Sequence, residues 1–193
     1  MELSPTVYKR FVRPSWYSKL YIERLIKDRF DFDNKRILDF GSGVGSISYM
    51  FDPHGYLGVD CDLGRVEYAR ELNPDYNFDV LAGRDIPVED SSMDYIVIVS
   101  VLHHIPTEDL RKYIEEFGRI LKPSGSVVAI EPCIFKNCYF CNFIMNKFDK
   151  GKYIRDEEGY LDLFKNSDFK VMIHQRFNQM FLYNKLFFTA SRH

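Results

Sequence analysis

The sequence predicts an α/β protein built on a mostly parallel sheet. Three observations carry that expectation. Short apolar runs alternate with amphipathic stretches along most of the chain, the pattern of repeated strand–helix units. The runs "RILDF", "YLGVD" and "DYIVIVSV" are apolar almost throughout instead of at every second residue, as strands covered on both faces are. A glycine-rich stretch, "DFGSGVG" from Asp39 to Gly45, follows the first run directly. In open α/β sheets ligands bind there, beyond the carboxyl ends of the strands.

The elements follow in order. Residues 1–34 read as a helical lead-in, with an amphipathic helix over 17–30 that carries Leu20, Ile22, Leu25 and Ile26 on its apolar side. Asp33 and Asn34 turn the chain into the first strand, "RILDF". A helix is expected from Val44 until Pro53 stops it, then the second strand at 56–60. The helix over 63–72 ends at Asn73 and Pro74, "NFDVL" makes a third strand and "DYIVIVSV" a fourth. Thr107 is expected to cap the next helix, with Glu108 and Asp109 in its first turn, where carboxylates suit the helix dipole. Leu110, Tyr113, Ile114, Phe117, Ile120 and Leu121 form its apolar stripe. Residues 122–125 break the pattern before a fifth strand, "SVVAI"; residues 133–153 fit no strand pattern; a helix over 156–166 precedes strands near 169–173 and 185–190.

Composition narrows the function. A chain of 193 residues with 46% hydrophobic and 28% charged residues is globular and long enough for one substantial core. The net charge of −2 offers nothing to a polyanion, so no nucleic-acid partner is expected. The first sixteen residues have no continuous apolar core, so no secretory signal is read there. The longest apolar run, "YIVIVSVL", is far short of the roughly 20 residues a membrane helix needs. A cytoplasmic protein without a membrane span is expected. Cys133, Cys138 and Cys141 are spaced C-x4-C-x2-C, like the start of a plant-type ferredoxin site. No fourth cysteine follows, so these and Cys61 are expected to be reduced thiols and no cluster is expected.

Which ligand the glycine loop holds is decided by its details. A dinucleotide fingerprint, G-x-G-x-x-G, would need glycine where Ser46 stands, and a phosphate loop would need a following G-K-[ST] that is missing. Asp39, two residues before the first glycine, is awkward beside a pyrophosphate and suits a ligand that carries an ammonium group.

With these residues the sequence resembles the class I S-adenosylmethionine-dependent methyltransferases, in particular the small ones of quinone and other small-molecule pathways. Their first motif, an apolar pair followed by D-x-G-x-G-x-G, is matched by Ile37, Leu38, Asp39, Gly41, Gly43 and Gly45. The acid that closes their second strand is matched by Asp60. "DSSMDYIVIVSVLHHI" is similar to their D-x-S-F-D stretch and fourth strand, and "FGRILKPSGSVVAIEP" to their R-h-L-K-P-G-G stretch and fifth strand. The resemblance implies a Rossmann-like fold with a mostly parallel seven-stranded sheet and helices on both faces, in a single domain over 1–193. It also implies S-adenosyl-L-methionine as cofactor. Asp39, Gly41, Ser42, Gly43 and Gly45 would then serve the methionyl part, Asp60 the ribose hydroxyls and Cys61 the adenine. One departure stands out: the position where relatives carry an adenine-binding acid is Ala82. Gly83 and Arg84 are expected to line the adenine through their backbones, with Asp85 standing in for the acid. Ser100 is expected to lend its backbone to the methionyl pocket.

Methyl transfer needs alignment, and a base only when the acceptor arrives protonated. His103 and His104, just past the fourth strand, are the catalytic candidates, His103 towards the acceptor and His104 in support. Some relatives hold a metal here through E-x-x-[EH]-H; in "SVLHH" the first ligand is replaced by Ser100, so no metal is expected. Glu131, Tyr153 and Arg155 are expected substrate contacts, and the aromatic-rich stretch 133–155 either a lid over an apolar small-molecule acceptor or helices that complete the core. Two alternatives stay open beside a small-molecule methyltransferase. One is a non-catalytic cofactor-binding subunit that supports a partner. The other is an RNA methyltransferase, suggested by Lys136, Lys147, Lys150, Lys152 and Arg155 interleaved with aromatics. The oligomeric state is not legible.

Overall fold

The computed structural model describes residues 22–149, 151–179 and 183–192, which fall in two compact units, Met1–Ala82 and Gly83–His193. In the first unit β1 (Ile37–Phe40), β2 (Tyr56–Asp60) and β3 (Asn77–Val80) lie in the order β3-β2-β1. Both pairings are parallel. A short helix α1 (Arg24–Lys27) precedes them and α2 (Leu63–Leu72) links β2 to β3. Of the helix expected over 17–30, Leu20 lies outside the described residues, while Ile22 and Ile26 are buried. Asp62 caps α2 by accepting from the Arg65 amide at 3.1 Å, and Asn73, where the sequence predicts the end, closes it by donating to the Ala69 carbonyl.

Ile37, Leu38 and Val59 are fully buried, as are Val66 and Ala69 of α2. Around them Tyr56 stacks on Phe51 and meets Tyr76 and Phe78 edge-on, at 5.8, 5.4 and 5.6 Å between ring centroids. Such pairs add about 0.5–1.5 kcal/mol each beyond the area they bury.

The helix expected after the glycine loop does not form. The chain makes turns and then two 3-10 turns, Ser48–Met50 and Pro53–Gly55. Gly41, Gly43 and Gly45 all have positive φ, at 75, 56 and 70°, so every second residue of the loop departs from helical geometry. Between Gly45 and Pro53 too few residues remain to nucleate a helix.

In the second unit β4 (Met93–Val99), β5 (Leu121–Ile134), β8 (Tyr183–Arg192) and β7 (Phe169–Gln179) lie in that order. β4 runs parallel to β5, while β8 is antiparallel to both β5 and β7. The seven expected strands are all present, and a two-residue strand, β6 (Arg155–Asp156), is added on the end of β5. Residues 122–125 belong to β5, with a register shift against β4 where the sequence suggested a break. Among the described residues the unit also has the helices α3 (Thr107–Ile120), α4 (Tyr139–Phe148) and α5 (Glu157–Lys165). The α3 stripe buries Leu110, Ile114, Phe117 and Ile120 completely, each worth about 1.5–3 kcal/mol. Thr107 is the first residue of α3 and not its cap; its hydroxyl accepts from Arg155 instead. Among the described residues no helix is long and apolar enough to cross a membrane.

Two loop glycines are required for different reasons, and their alanine variants should separate. A Cβ at Gly45 would lie 2.6 Å from the Phe78 ring and 2.9 Å from Asn73 Nδ2, whereas one at Gly43 meets nothing within 4 Å. Gly43→Ala is expected to cost about 1 kcal/mol, for the left-handed backbone alone. Gly45→Ala adds overpacking against a buried ring and should cost about 2–4 kcal/mol in total. Urea midpoints of the two variants check this; equal losses would contradict it.

Candidate functional site

The glycine loop is held by backbone and by one acid. The amides of Gly41 and Ser42 both donate to the Val59 carbonyl, at 2.8 and 2.9 Å, and the Gly45 amide donates to the Ser42 carbonyl at 3.0 Å. Asp60, at the end of β2 and 7% exposed, accepts from the Gly43 amide at 2.9 Å through Oδ2 and from the Asp62 amide at 3.0 Å through Oδ1. These bonds leave lone pairs on both carboxylate oxygens. The loop therefore presents Gly43 to open space with an acid directly behind it. Close approach of loop to sheet is possible because β2 carries Gly58, where a Cβ would lie 2.9 Å from Ser42 Oγ. Ser42 Oγ is buried without a hydrogen-bond partner among the described residues.

Asp39 does not line the open side of this loop. It is buried on β1 and accepts from the Tyr56 hydroxyl at 2.7 Å, so its charge acts from beneath. Cys61 is exposed, and its thiol is pushed up by partial burial and then by the charge of Asp60.

In the second unit a carboxylate organises the chain past β4. Glu131, on β5, has no solvent exposure. Its Oε1 accepts from the amides of Val101 and Leu102 at 2.7 and 3.0 Å, and its Oε2 lies 2.8 Å from His103 Nδ1. The other ring nitrogen, Nε2, lies 3.4 Å from Asp149 Oδ1. Burial alone would lower the His103 pKa, but the hydrogen bonds to Asp149 and Glu131 and their charges outweigh it, so it is raised. Burial would likewise raise Glu131 and Asp149; the His103 partner and the backbone amides hold both below the ordinary carboxylate range.

His103 therefore does not face an acceptor as expected. It is 2% exposed, both nitrogens point at carboxylates, and a side chain at Gly151 would overlap its ring. His104, expected in support, is the exposed member of the pair, with ring centroids 4.0 Å apart. Glu131, expected at the substrate, is an internal anchor. Arg155 is also internal: Nη1 donates to the carbonyls of Leu102 and Tyr153, Nη2 to the Ile105 carbonyl and the Thr107 hydroxyl. Three of these bonds tie down the chain from Leu102 to Thr107, while Tyr153 stays 38% exposed. Ser100 adopts φ 59° and its hydroxyl accepts from the buried Lys185 at 2.7 Å. Gly83, at φ 89° with open space around its Cβ position, accepts from the Tyr113 hydroxyl. Arg84 pairs with Asp109 on α3, and Asp85 is exposed.

Asp149 and Lys185 were not singled out by sequence reasoning. Both lie outside any local spacing pattern, Asp149 just after α4 and Lys185 on β8. Cys133 and Cys141 are buried in separate surroundings: the Cys133 thiol is pushed up to about 12 by burial, and Cys141 accepts from Asn178. Among the described residues the potential ligand group that does assemble is His103, His104 and Asp149. Helix α4 buries Cys141 and Met145 and leaves Tyr139, Phe140, Phe143 and Phe148 exposed.

Parallel strands that end in left-handed glycine turns, with an acid closing the second strand, define a Rossmann-like cofactor-binding protein. Comparison with known proteins carries this further. Residues 38–129 match the methyltransferase domain family model. A demethylmenaquinone methyltransferase of Staphylococcus aureus is 29% identical over 157 residues, covering 74% of this chain. The chain spans 64% of that relative's length. An S-adenosylmethionine-dependent methyltransferase from Thermotoga maritima superposes with a TM-score of 0.74 at 16% identity, over 97% of this chain and 99% of that one. The magnesium protoporphyrin IX methyltransferase of Synechocystis, solved with bound S-adenosylhomocysteine, gives 0.71 at 15% identity over 93% and 85%. The fold is that of the Rossmann-like methyltransferases, and the methyltransferase-domain match lies on the stretch from β1 to β5.

Glu131→Ala should be among the most destabilising substitutions in the second unit. It strands the Val101 and Leu102 amides and leaves His103 without its closer partner, a loss of about 3–5 kcal/mol for a broken buried pair. Glu131→Gln keeps an acceptor for the two amides and should lose about 1–2 kcal/mol. Chemical denaturation of both variants provides the check, with similar losses as the contrary outcome.

Proposed function

We propose that this chain transfers the methyl group of S-adenosyl-L-methionine to a small-molecule acceptor. The observation that carries the reading is the glycine loop at the end of β1: Gly43 faces open space and is clamped from behind by Asp60. In this reading the remaining lone pairs of Asp60 take the ribose hydroxyls, and the backbone from Gly41 to Gly45 runs along the methionyl part. The buried charge of Asp39 favours the ammonium through the loop. Cys61 is assigned to the adenine. By the resemblance, Gly83, Arg84 and Asp85 would serve the adenine through their backbones, and Ser100, left-handed at φ 59°, the methionyl part.

The cofactor supplies an activated methyl group, so the protein's part is alignment and exclusion of water, which can be worth about 7–11 kcal/mol. Bound, the cofactor would offer its methyl carbon to an acceptor lone pair, the sulfur keeping the pair of the broken carbon–sulfur bond. Of the histidine pair His104 is exposed and so is the one that can meet an acceptor and its proton. The name of the Staphylococcus aureus relative and the exposed aromatic side of α4 both favour an apolar, ring-bearing acceptor, with α4 at the acceptor's entrance.

Calorimetry tests the cofactor. S-adenosylmethionine and S-adenosylhomocysteine should bind and NAD should not. Asp60→Ala should weaken both by about 1.5–3 kcal/mol, the value of hydrogen bonds to a charged group. Gly43→Ala should weaken them while the protein stays folded. Micromolar NAD binding, or unchanged affinity in both variants, would refute the reading. Release of S-adenosylhomocysteine with phenolic or quinol acceptors then distinguishes an enzyme from a binding subunit.

A further inference from the structure

We propose that His103, His104 and Asp149 form a binding site for a divalent transition-metal ion, with Glu131 holding His103 from behind. This goes beyond methyl transfer and does not depend on it; with an ion bound, His104 would be a ligand and no longer the group that takes an acceptor's proton. One ligand atom from each of the three residues lies within 4.8 Å of the others, so small side-chain rotations gather them. One pair is already in place. His103 Nε2 and Asp149 Oδ1 are 3.4 Å apart, long for a charge-assisted hydrogen bond, which runs about 2.7–2.9 Å. It is the separation of two ligands that each lie about 2.0–2.2 Å from one tetrahedral ion.

Glu131 supplies the second observation. Its Oε2 sits 2.8 Å from His103 Nδ1 while its Oε1 is pinned by two backbone amides. A carboxylate behind one ring nitrogen keeps the proton there, directs the other nitrogen's lone pair outward and makes it more basic. This is how metal-binding histidines are commonly supported. Here Nε2 is directed at Asp149, and an ion would take the place of the proton between them.

The donor set selects the ion. Two imidazoles and one carboxylate suit zinc and its first-row neighbours, whereas magnesium and calcium call for oxygen ligands. Three protein ligands leave a coordination position open. Access grades across the site: His103 is buried, the Asp149 side chain is 11% exposed and His104 is exposed, so an ion can enter from the His104 side. Gly151 roofs the His103 ring where a side chain would not fit, and its amide donates to Asp149 Oδ1 at 2.7 Å. Lys185 acts on Asp149 as an opposing charge and is itself anchored on Ser100. An ion here would join the turn after β4 to the segment after α4, with its open position on the solvent side.

Zinc titration of the whole protein against a fluorescent chelator tests the site. One ion per chain should bind with a micromolar or tighter Kd, and millimolar magnesium should not compete. Cobalt should bind in its place and give the visible absorption of a four-coordinate ion. His104→Ala, at an exposed position, and Asp149→Asn, which keeps the shape of the side chain, should each weaken zinc at least tenfold with unchanged circular dichroism. Glu131→Gln should weaken it about 10–100-fold, while His54→Ala, an exposed histidine of the other unit, should not matter. No binding at micromolar free zinc, or the same Kd in His104→Ala and Asp149→Asn, would overturn the proposal. Because the readout is ion binding, failure here leaves the methyltransfer reading untouched.

Discussion

A carboxylate without access to water must find all its partners inside the protein, and Glu131 does so by taking hold of the chain that leaves β4. Its two oxygens collect the Val101 and Leu102 amides and the His103 ring. Everything at that end of the second unit follows. The turn after β4 is bent round to offer consecutive amides, His103 is drawn inward, and Asp149 and Gly151 close over it. Arg155 then ties the outer carbonyls of the same turn, from Leu102 to Ile105, and takes the Thr107 hydroxyl from its expected capping role. Two ionised side chains, one accepting and one donating, thus set a loop that has little regular structure of its own.

The first unit reaches a comparable end by different means. Its loop depends on left-handed backbone at Gly41, Gly43 and Gly45, a conformation that other residues adopt only at a cost. The three glycines are not equivalent. Gly45 is needed because Phe78 and Asn73 press against it, and Gly43 because its backbone borders open space. Asp60 joins the two requirements by gripping the Gly43 amide while retaining lone pairs of its own. Ser100 and Gly83 repeat the left-handed conformation in the second unit.

Much of this was legible in the sequence. Long-range apolar runs identify β1, β2, β4 and β5, because strands buried on both faces admit little else. Asn73, Asp156 and Asn166 mark helix ends because short polar side chains suit the backbone groups left over there. The glycine spacing and Asp60 carry the resemblance to the methyltransferases, because a left-handed loop and the acid that holds it are written in local sequence. The tertiary structure decided what local pattern cannot carry. The apolar run after Gly45 reads as a helix, yet contacts with Phe78 and Asn73, more than thirty and nearly thirty residues away in β3 and at the end of α2, hold its start in a left-handed turn. His103 and His104 are adjacent and chemically identical, and only Glu131 and Asp149, brought from β5 and from beyond α4, make one a buried ion partner and leave the other exposed. A sequence states which side chains can be charged or left-handed; which of them must be is settled by partners that folding brings from far along the chain.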